Sequence, residues 1–123
     1  RAAAPERDAL RLLRDNLDGA IQAYEAGVGF ILEQSAANIR AVYSSSVPYL
    51  MLAGVVHGGW QMARAVLACR RHIAAGSTDP FHKSKIATGL FYAALILPRA
   101  LALSAAVRAG VVADACGAAS DIA

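Results

Sequence analysis

The chain has 123 residues, of which 57% are hydrophobic and 17% are charged, and its formal net charge is +3. This length allows one hydrophobic core and therefore a single domain. The charged fraction lies below the roughly 25% of ordinary globular domains, so we expect another chain or segment to cover part of the surface.

The first predicted helix runs from about residue 5 to about residue 33. Pro5 suits a first helical turn, and the acidic Glu6 favours the positive end of a helix. Apolar residues then recur at spacings of three and four along one face, while the opposite face carries arginine and aspartate pairs. This pattern predicts an amphipathic helix with one face in solvent.

The second predicted helix runs from about residue 36 to about residue 75. Three serines precede Val47 and Pro48, and this composition favours a kink or a break near residues 44–48. Gly76 supplies a C-terminal stop, and the segment GSTDP that begins there is the clearest loop in the chain.

The third predicted helix runs from about residue 80 to about residue 109. The apolar side of Leu90, Leu97 and Leu101 is expected to face the other helices. Together the three segments predict an all-α fold, an antiparallel bundle of three long helices with room for a fourth short or split helix.

A second apolar side distinguishes the third helix, because Tyr92, Ile96 and Leu103 lie outside its main apolar stripe. We expect these residues and Arg99 to form an interface with another surface. Pro98 cannot donate a backbone hydrogen bond, so the helix should kink there.

Neither apolar segment is expected to span a membrane. Residues 47–69 contain His57, Gln61 and Arg64, whereas residues 91–107 are short and contain Arg99. A central arginine costs roughly 2.5 kcal/mol or more in a bilayer. The two segments therefore favour core helices of a bundle.

The distribution of charge suggests one docking point but no nucleic-acid site. Residues 44–110 carry seven Lys or Arg and one Asp, scattered through apolar helices without an exposed aromatic platform. Four of these cations flank one loop and are either a solvated end of the bundle or a docking contact for an acidic partner or a phosphate: Arg70, Arg71, Lys83 and Lys85.

No catalytic, cofactor-binding or metal-binding residues are predicted in this chain. His72 and His82 flank the same loop with Cys69 nearby, but this spacing matches no metal motif. The two cysteines, Cys69 and Cys116, make no disulfide framework, which favours free thiols in the cytoplasm. Because the sequence begins without Met, we expect a fragment of a longer chain.

Two segments carry a resemblance to a known family: YLMLAGVVHGGWQMARAVLA and FHKSKIATGLFYAALILPRALALSAAVRAG. They resemble the extra C-terminal helical domain of a subgroup of bacterial acyl-CoA dehydrogenases, over about residues 47–110. The matching positions are Tyr49, Leu50, Gly59, Trp60, Phe81, Lys85, Thr88, Phe91, Tyr92, Leu97, Pro98, Arg99, Ala109 and Gly110.

This resemblance implies a parent enzyme that uses FAD to oxidise an acyl-CoA thioester to its 2,3-enoyl form in fatty acid metabolism. It also implies that the flavin site and the catalytic carboxylate lie outside this chain. The expected function is a non-catalytic domain that assists assembly or packs against the catalytic domains of the same chain, within a homo-oligomer. The alternative is a free-standing helical adaptor or regulatory bundle with a small ligand cavity.

Overall fold

The computed structural model describes residues 4–120. Within that range it has five α-helices and no β-strand: α1 (Ala4–Ala37), α2 (Ile39–Ala74), α3 (Pro80–Leu95), α4 (Arg99–Arg108) and α5 (Gly110–Ser120). The all-α prediction is confirmed. The number of helices differs from the expected three, because the third segment is divided at Pro98 and a further helix follows Ala109.

Polar side chains and one glycine set the helix boundaries. The Asn38 side chain accepts a hydrogen bond from the backbone N–H of Ala41 and caps the start of α2. Gly76, with φ of 98°, ends the α2 turn in the left-handed region that glycine tolerates. The Asp79 Oδ1 atom then accepts from the N–H of Phe81 at 2.9 Å, which caps α3. The predicted loop therefore lies where its turn residues placed it.

The serine-rich stretch at residues 44–48 lies inside α2, so the expected break is not there. Ser45 is buried, and its hydroxyl donates to the carbonyl of Val107 at 2.6 Å. Ser46 donates to the carbonyl of Tyr43 within the same helix at 2.8 Å. Because these hydroxyls have partners that keep the helical path, the serines do not interrupt the helix, and Pro48 remains within it.

The predicted kink at Pro98 is confirmed, since α3 and α4 meet at an angle of 43°. Before the proline, the N–H of Leu97 donates to the carbonyl of Tyr92 at 3.1 Å, five residues back. This wide turn leaves the carbonyl of Ala93 without its usual partner within the helix. The side-chain amide of Asn16 in α1 donates to that carbonyl at 2.9 Å. A neighbouring helix therefore satisfies the backbone at the bend.

The core combines small residues with a few large ones, so the helices approach one another closely. Its buried members are Leu13, Ala20, Ala23, Leu52, Val56, Ala63, Val66, Ala93, Leu97, Ala100 and Val107. Leu97 lies against the bare backbone of Gly59, where an added Cβ would overlap its side chain. The hydroxyl of the buried Ser104 in α4 donates to the carbonyl of Ala23 in α1 at 2.7 Å. Burial and hydrogen bonding thus join α1, α2 and α4 in one core.

Candidate functional site

A groove with a basic rim lies where α1, α2 and α3 meet. It encloses about 600 Å³ and is lined by Glu6, Leu67, Arg70, Arg71, Ile73, Ala74 and Ile86. The Arg70 Nε atom donates to the carboxylate of Glu6 at 2.9 Å, so this pair partly neutralises one wall. Arg71 is exposed, and within residues 4–120 no carboxylate pairs with it. The groove therefore presents an apolar floor beside an uncompensated positive charge.

The four predicted docking residues are not all brought together. Arg70 and Arg71 line the groove, but Lys83 and Lys85 are not among its lining residues. Lys83 is exposed and Lys85 is half-buried on the first turns of α3. Two of the four predicted docking residues therefore line this groove, and the docking role of all four stays a prediction.

The histidines that flank the loop do come together. The rings of His72 and His82 stack at 5.0 Å between centroids, with an interplanar angle of 7°. Over the described residues, no group of three His, Cys, Asp or Glu side chains is arranged to hold a metal ion. The pair therefore joins the end of α2 to the start of α3 by packing.

The predicted interface residues of the third segment differ in where they lie. The Tyr92 hydroxyl donates to the carbonyl of Val55 at 2.9 Å, and burial raises the pKa of this phenol. Leu103 packs against the core, Ile96 is half-buried and Arg99 is exposed. Tyr92 and Leu103 thus contact this domain's own helices.

The exposed apolar residues of α3 and α4 are Phe91, Leu95 and Leu101, at 59%, 54% and 61% exposure. We call them the α3–α4 apolar surface. Leu101, which was expected to face inward, is exposed, because the buried stripe passes through Leu97, Ala100 and Ser104 instead. A second apolar side therefore exists on this segment, and the interface assigned to Tyr92, Ile96, Arg99 and Leu103 stays a prediction.

The outer face of α2 is a second exposed apolar surface, which the sequence reasoning missed. Tyr43, Val47, Leu50 and Met51 are exposed, and no charged residue occurs between Arg40 and Arg64. That charge-free run of the sequence was the available signal.

By length and composition, α2 meets the criterion for a membrane span that we expected it to fail. Its most apolar 18 residues have a mean hydropathy of 1.3, and 22% of them are buried in the structure. Within the described range, α3 and α4 meet the criterion only as one bent pair. One such helix is weak evidence, because core helices of water-soluble proteins share these properties. The absence of a membrane span stays a prediction.

Residues 4–120 contain no strand, and so no glycine-rich loop between a strand and a helix that would hold a pyrophosphate. The glycines of the helices instead lie against side chains such as Tyr92 and Leu97 or face open space. That this chain binds no cofactor stays a prediction.

Comparison with known proteins agrees with the resemblance seen in the sequence. The profile of the family described as "Acetyl-CoA dehydrogenase C-terminal like" matches residues 1–115. The 3-methylmercaptopropionyl-CoA dehydrogenase of Ruegeria pomeroyi is 35% identical over 95 residues, which are 77% of this chain. No solved structure gives a significant match.

The chain spans about 15% of the length of that curated relative. The residues that match the family profile run from α1 into α5. The predicted recognition is confirmed: the chain belongs to the acetyl-CoA dehydrogenase C-terminal-like family.

Proposed function

We propose that this chain is the non-catalytic C-terminal helical domain of an FAD-dependent acyl-CoA dehydrogenase, and that it packs against the catalytic domains of the same parent chain. The family match and the small share of the relative that the chain spans support this role. FAD and the acyl-CoA substrate belong to the parent enzyme in this proposal. In the same proposal, the parent enzyme is cytoplasmic and forms a homo-oligomer.

The observation that carries the proposal is the α3–α4 apolar surface. Phe91, Leu95 and Leu101 each expose more than half of their side chains, in a chain with a low charged fraction. Contiguous exposed apolar area on a small domain marks an interaction site. A domain joined covalently to its partner meets that partner at a high effective concentration, so a modest surface is sufficient for docking.

The antiparallel three-helix arrangement belongs to the same proposal. Arg70 near the end of α2 pairs with Glu6 near the start of α1. The hydroxyls of Tyr24, in the middle of α1, and Tyr49, in the first third of α2, lie 3.5 Å apart. These pairs support opposite directions for α1 and α2, which would leave the outer faces of α2 and α3–α4 available to partners.

The test uses the parent protein with Leu101→Glu, and Leu32→Glu as the matched control, because Leu32 is 69% exposed on α1. We expect Leu101→Glu to lower the temperature at which flavin is released and to make the junction between domains sensitive to protease. The control should behave as wild type, because its leucine lies outside the docking surface.

Two results would contradict the proposal. In the first, Leu101→Glu and Leu32→Glu release flavin at the wild-type temperature and resist protease equally. In the second, the natural gene product has the mass of this chain alone, which would instead support a free-standing helical adaptor.

A further inference from the structure

The outer face of α2 lies opposite the side of the helix that the core buries. At 100° per residue, Tyr43, Val47 and Leu50 lie within about 40° of Gly54 around the helix axis. The buried Leu52 and Ala63 lie at about 160° to 180° from it. We call the outer residues the α2 face: Tyr43, Val47, Leu50, Met51, Gly54, His57 and Gln61.

The α2 face carries no charge along its length. It spans 18 residue steps, or about 27 Å of helix. Tyr43, Val47 and Leu50 are 69%, 66% and 73% exposed. The nearest cations of the helix are Arg40, which pairs with Asp114 in α5, and Arg64 beyond the opposite end. Two identical faces could therefore meet without repulsion between like charges.

Gly54 forms a notch in the middle of the face. A Cβ atom added there would meet nothing within 4 Å, so packing inside the domain does not account for this glycine. Gly58, one turn later, differs because the Tyr92 side chain covers it. A glycine in a helix interior costs about 1 kcal/mol relative to alanine. Close approach of another backbone would offset that cost.

We propose that a second copy of this chain binds the α2 face, with the two α2 helices crossing at Gly54 on a two-fold axis. Such an interface is isologous, so the same notch receives the partner's backbone on both sides. Larger side chains lie on both sides of the notch along the helix, Leu50 before it and His57 after it. The face is therefore complementary to itself at one crossing point.

The area of the face is sufficient for a dimer. Its six side chains other than Gly54 each expose about 100 Å², so two copies bury about 1,200 Å². This value lies at the lower limit of stable interfaces. We therefore expect a dimer that forms at micromolar concentrations.

This inference rests on the oligomeric part of the proposed function but uses a different surface. Docking to the catalytic domains is assigned to the α3–α4 apolar surface, whereas self-association is assigned to α2. Loss of one by mutation should leave the other intact. Failure of the dimer would leave the flavin-release experiment with Leu101→Glu unaffected.

Sedimentation velocity over a concentration series tests the crossing point with Gly54→Leu. A Cβ atom at position 54 meets nothing within 4 Å in the monomer, and leucine favours the helix, so we expect the fold to be preserved. We expect the dissociation constant of the dimer to rise at least ten-fold, because the new side chain separates the helices. Gly29→Leu is the matched control, since an added Cβ at Gly29 also meets nothing within 4 Å.

The same variant separates a specific dimer from general adhesion of apolar surfaces. If the chain associated nonspecifically, Gly54→Leu would add apolar area and strengthen association. Unchanged or tighter association of Gly54→Leu would therefore overturn the proposal. A wild-type chain that stays monomeric at 100 times the expected dissociation constant, or that binds phosphatidylcholine vesicles as a monomer, would overturn it as well.

Cross-linking provides a positive test in the full chain with Cys116→Ser, which removes the exposed thiol. Gly54→Cys should give a disulfide-linked dimer after mild chemical oxidation, since a disulfide requires Cα atoms within about 7 Å. Leu67→Cys should remain monomeric, because Leu67 is about 20 Å along the helix from the crossing point and lies outside the face. Equal cross-linking of both variants would contradict the assigned geometry.

Discussion

Replacing Gly110 with alanine should destabilise the domain, although alanine is the better helix former. Gly110 is buried at the start of α5, where α2 approaches it closely. An added Cβ would lie 2.5 Å from the carbonyl oxygen of Ala41 and would overlap the hydroxyl of Ser45. Backbone atoms of α2 cannot rotate away, so the helices themselves must move.

The size of the effect follows from these contacts. Ordinary van der Waals contact begins near 3.4 Å, so α5 must retreat from Ala41 by about 0.9 Å. Overpacking of this kind costs about 1–3 kcal/mol. Displacing Ser45 weakens its hydrogen bond to Val107, which is worth about 1 kcal/mol. The higher helix propensity of alanine stabilises the chain by less than about 1 kcal/mol at a first helical residue. The net loss is therefore about 2 kcal/mol.

Urea unfolding followed by circular dichroism measures this change, at one fixed protein concentration so that association does not differ between samples. Gly29→Ala is the matched control, because its added Cβ meets nothing within 4 Å and should stabilise the chain by up to about 1 kcal/mol. If Gly110→Ala were as stable as wild type, the close approach of α5 to α2 would not exist in solution.

Three further substitutions test other contacts by the same unfolding measurement. Asn16→Ala should cost about 1–2 kcal/mol, because the backbone carbonyl at the helix bend loses its donor, and no loss would contradict that hydrogen bond. Tyr92→Phe should cost about 1 kcal/mol by removing the hydrogen bond to Val55. Hydrogen bonds from Asn38 and then Arg40 hold the pKa of Asp114 below its ordinary value. A lowered folded-state pKa stabilises the fold above the unfolded pKa near 4, so the advantage of wild type over Asp114→Asn should disappear as pH falls through the lower, folded-state value. An advantage that persisted in strong acid would contradict this assignment.

Local signals in the sequence were sufficient for the loop between α2 and α3 and for the bend at Pro98. The stop at Gly76 and the cap at Asp79 act through the backbone of their own neighbours, so the pattern of residues predicts them. The bend at Pro98 was also predictable, since proline lacks the N–H that would continue the helix.

Features that depend on distant partners were not predictable in the same way. The buried positions around the bend are Leu97, Ala100, Ser104 and Val107, and the sequence alone did not show that Ala100 rather than Leu101 is the buried residue. The carbonyl of Ala93 that the wide turn leaves free accepts a hydrogen bond from Asn16, 77 residues away. Likewise, the hydroxyl of Ser45 donates a hydrogen bond to the distant carbonyl of Val107, so this serine does not interrupt α2. The outward placement of Leu101 and the unbroken path of α2 required the folded structure.

The bonds that join α1 to α3 and α4 also set the order of events during synthesis. Asn16 and Ala23 form hydrogen bonds with residues 77 and 81 positions later in the chain. During synthesis α1 therefore leaves the ribosome long before these contacts can form. Until α4 emerges, the core positions that Ala100 and Val107 fill remain open. A nascent chain interrupted between Leu95 and Arg99 would leave those core positions exposed, and the cell's chaperones and proteases would recognise the exposed apolar surface.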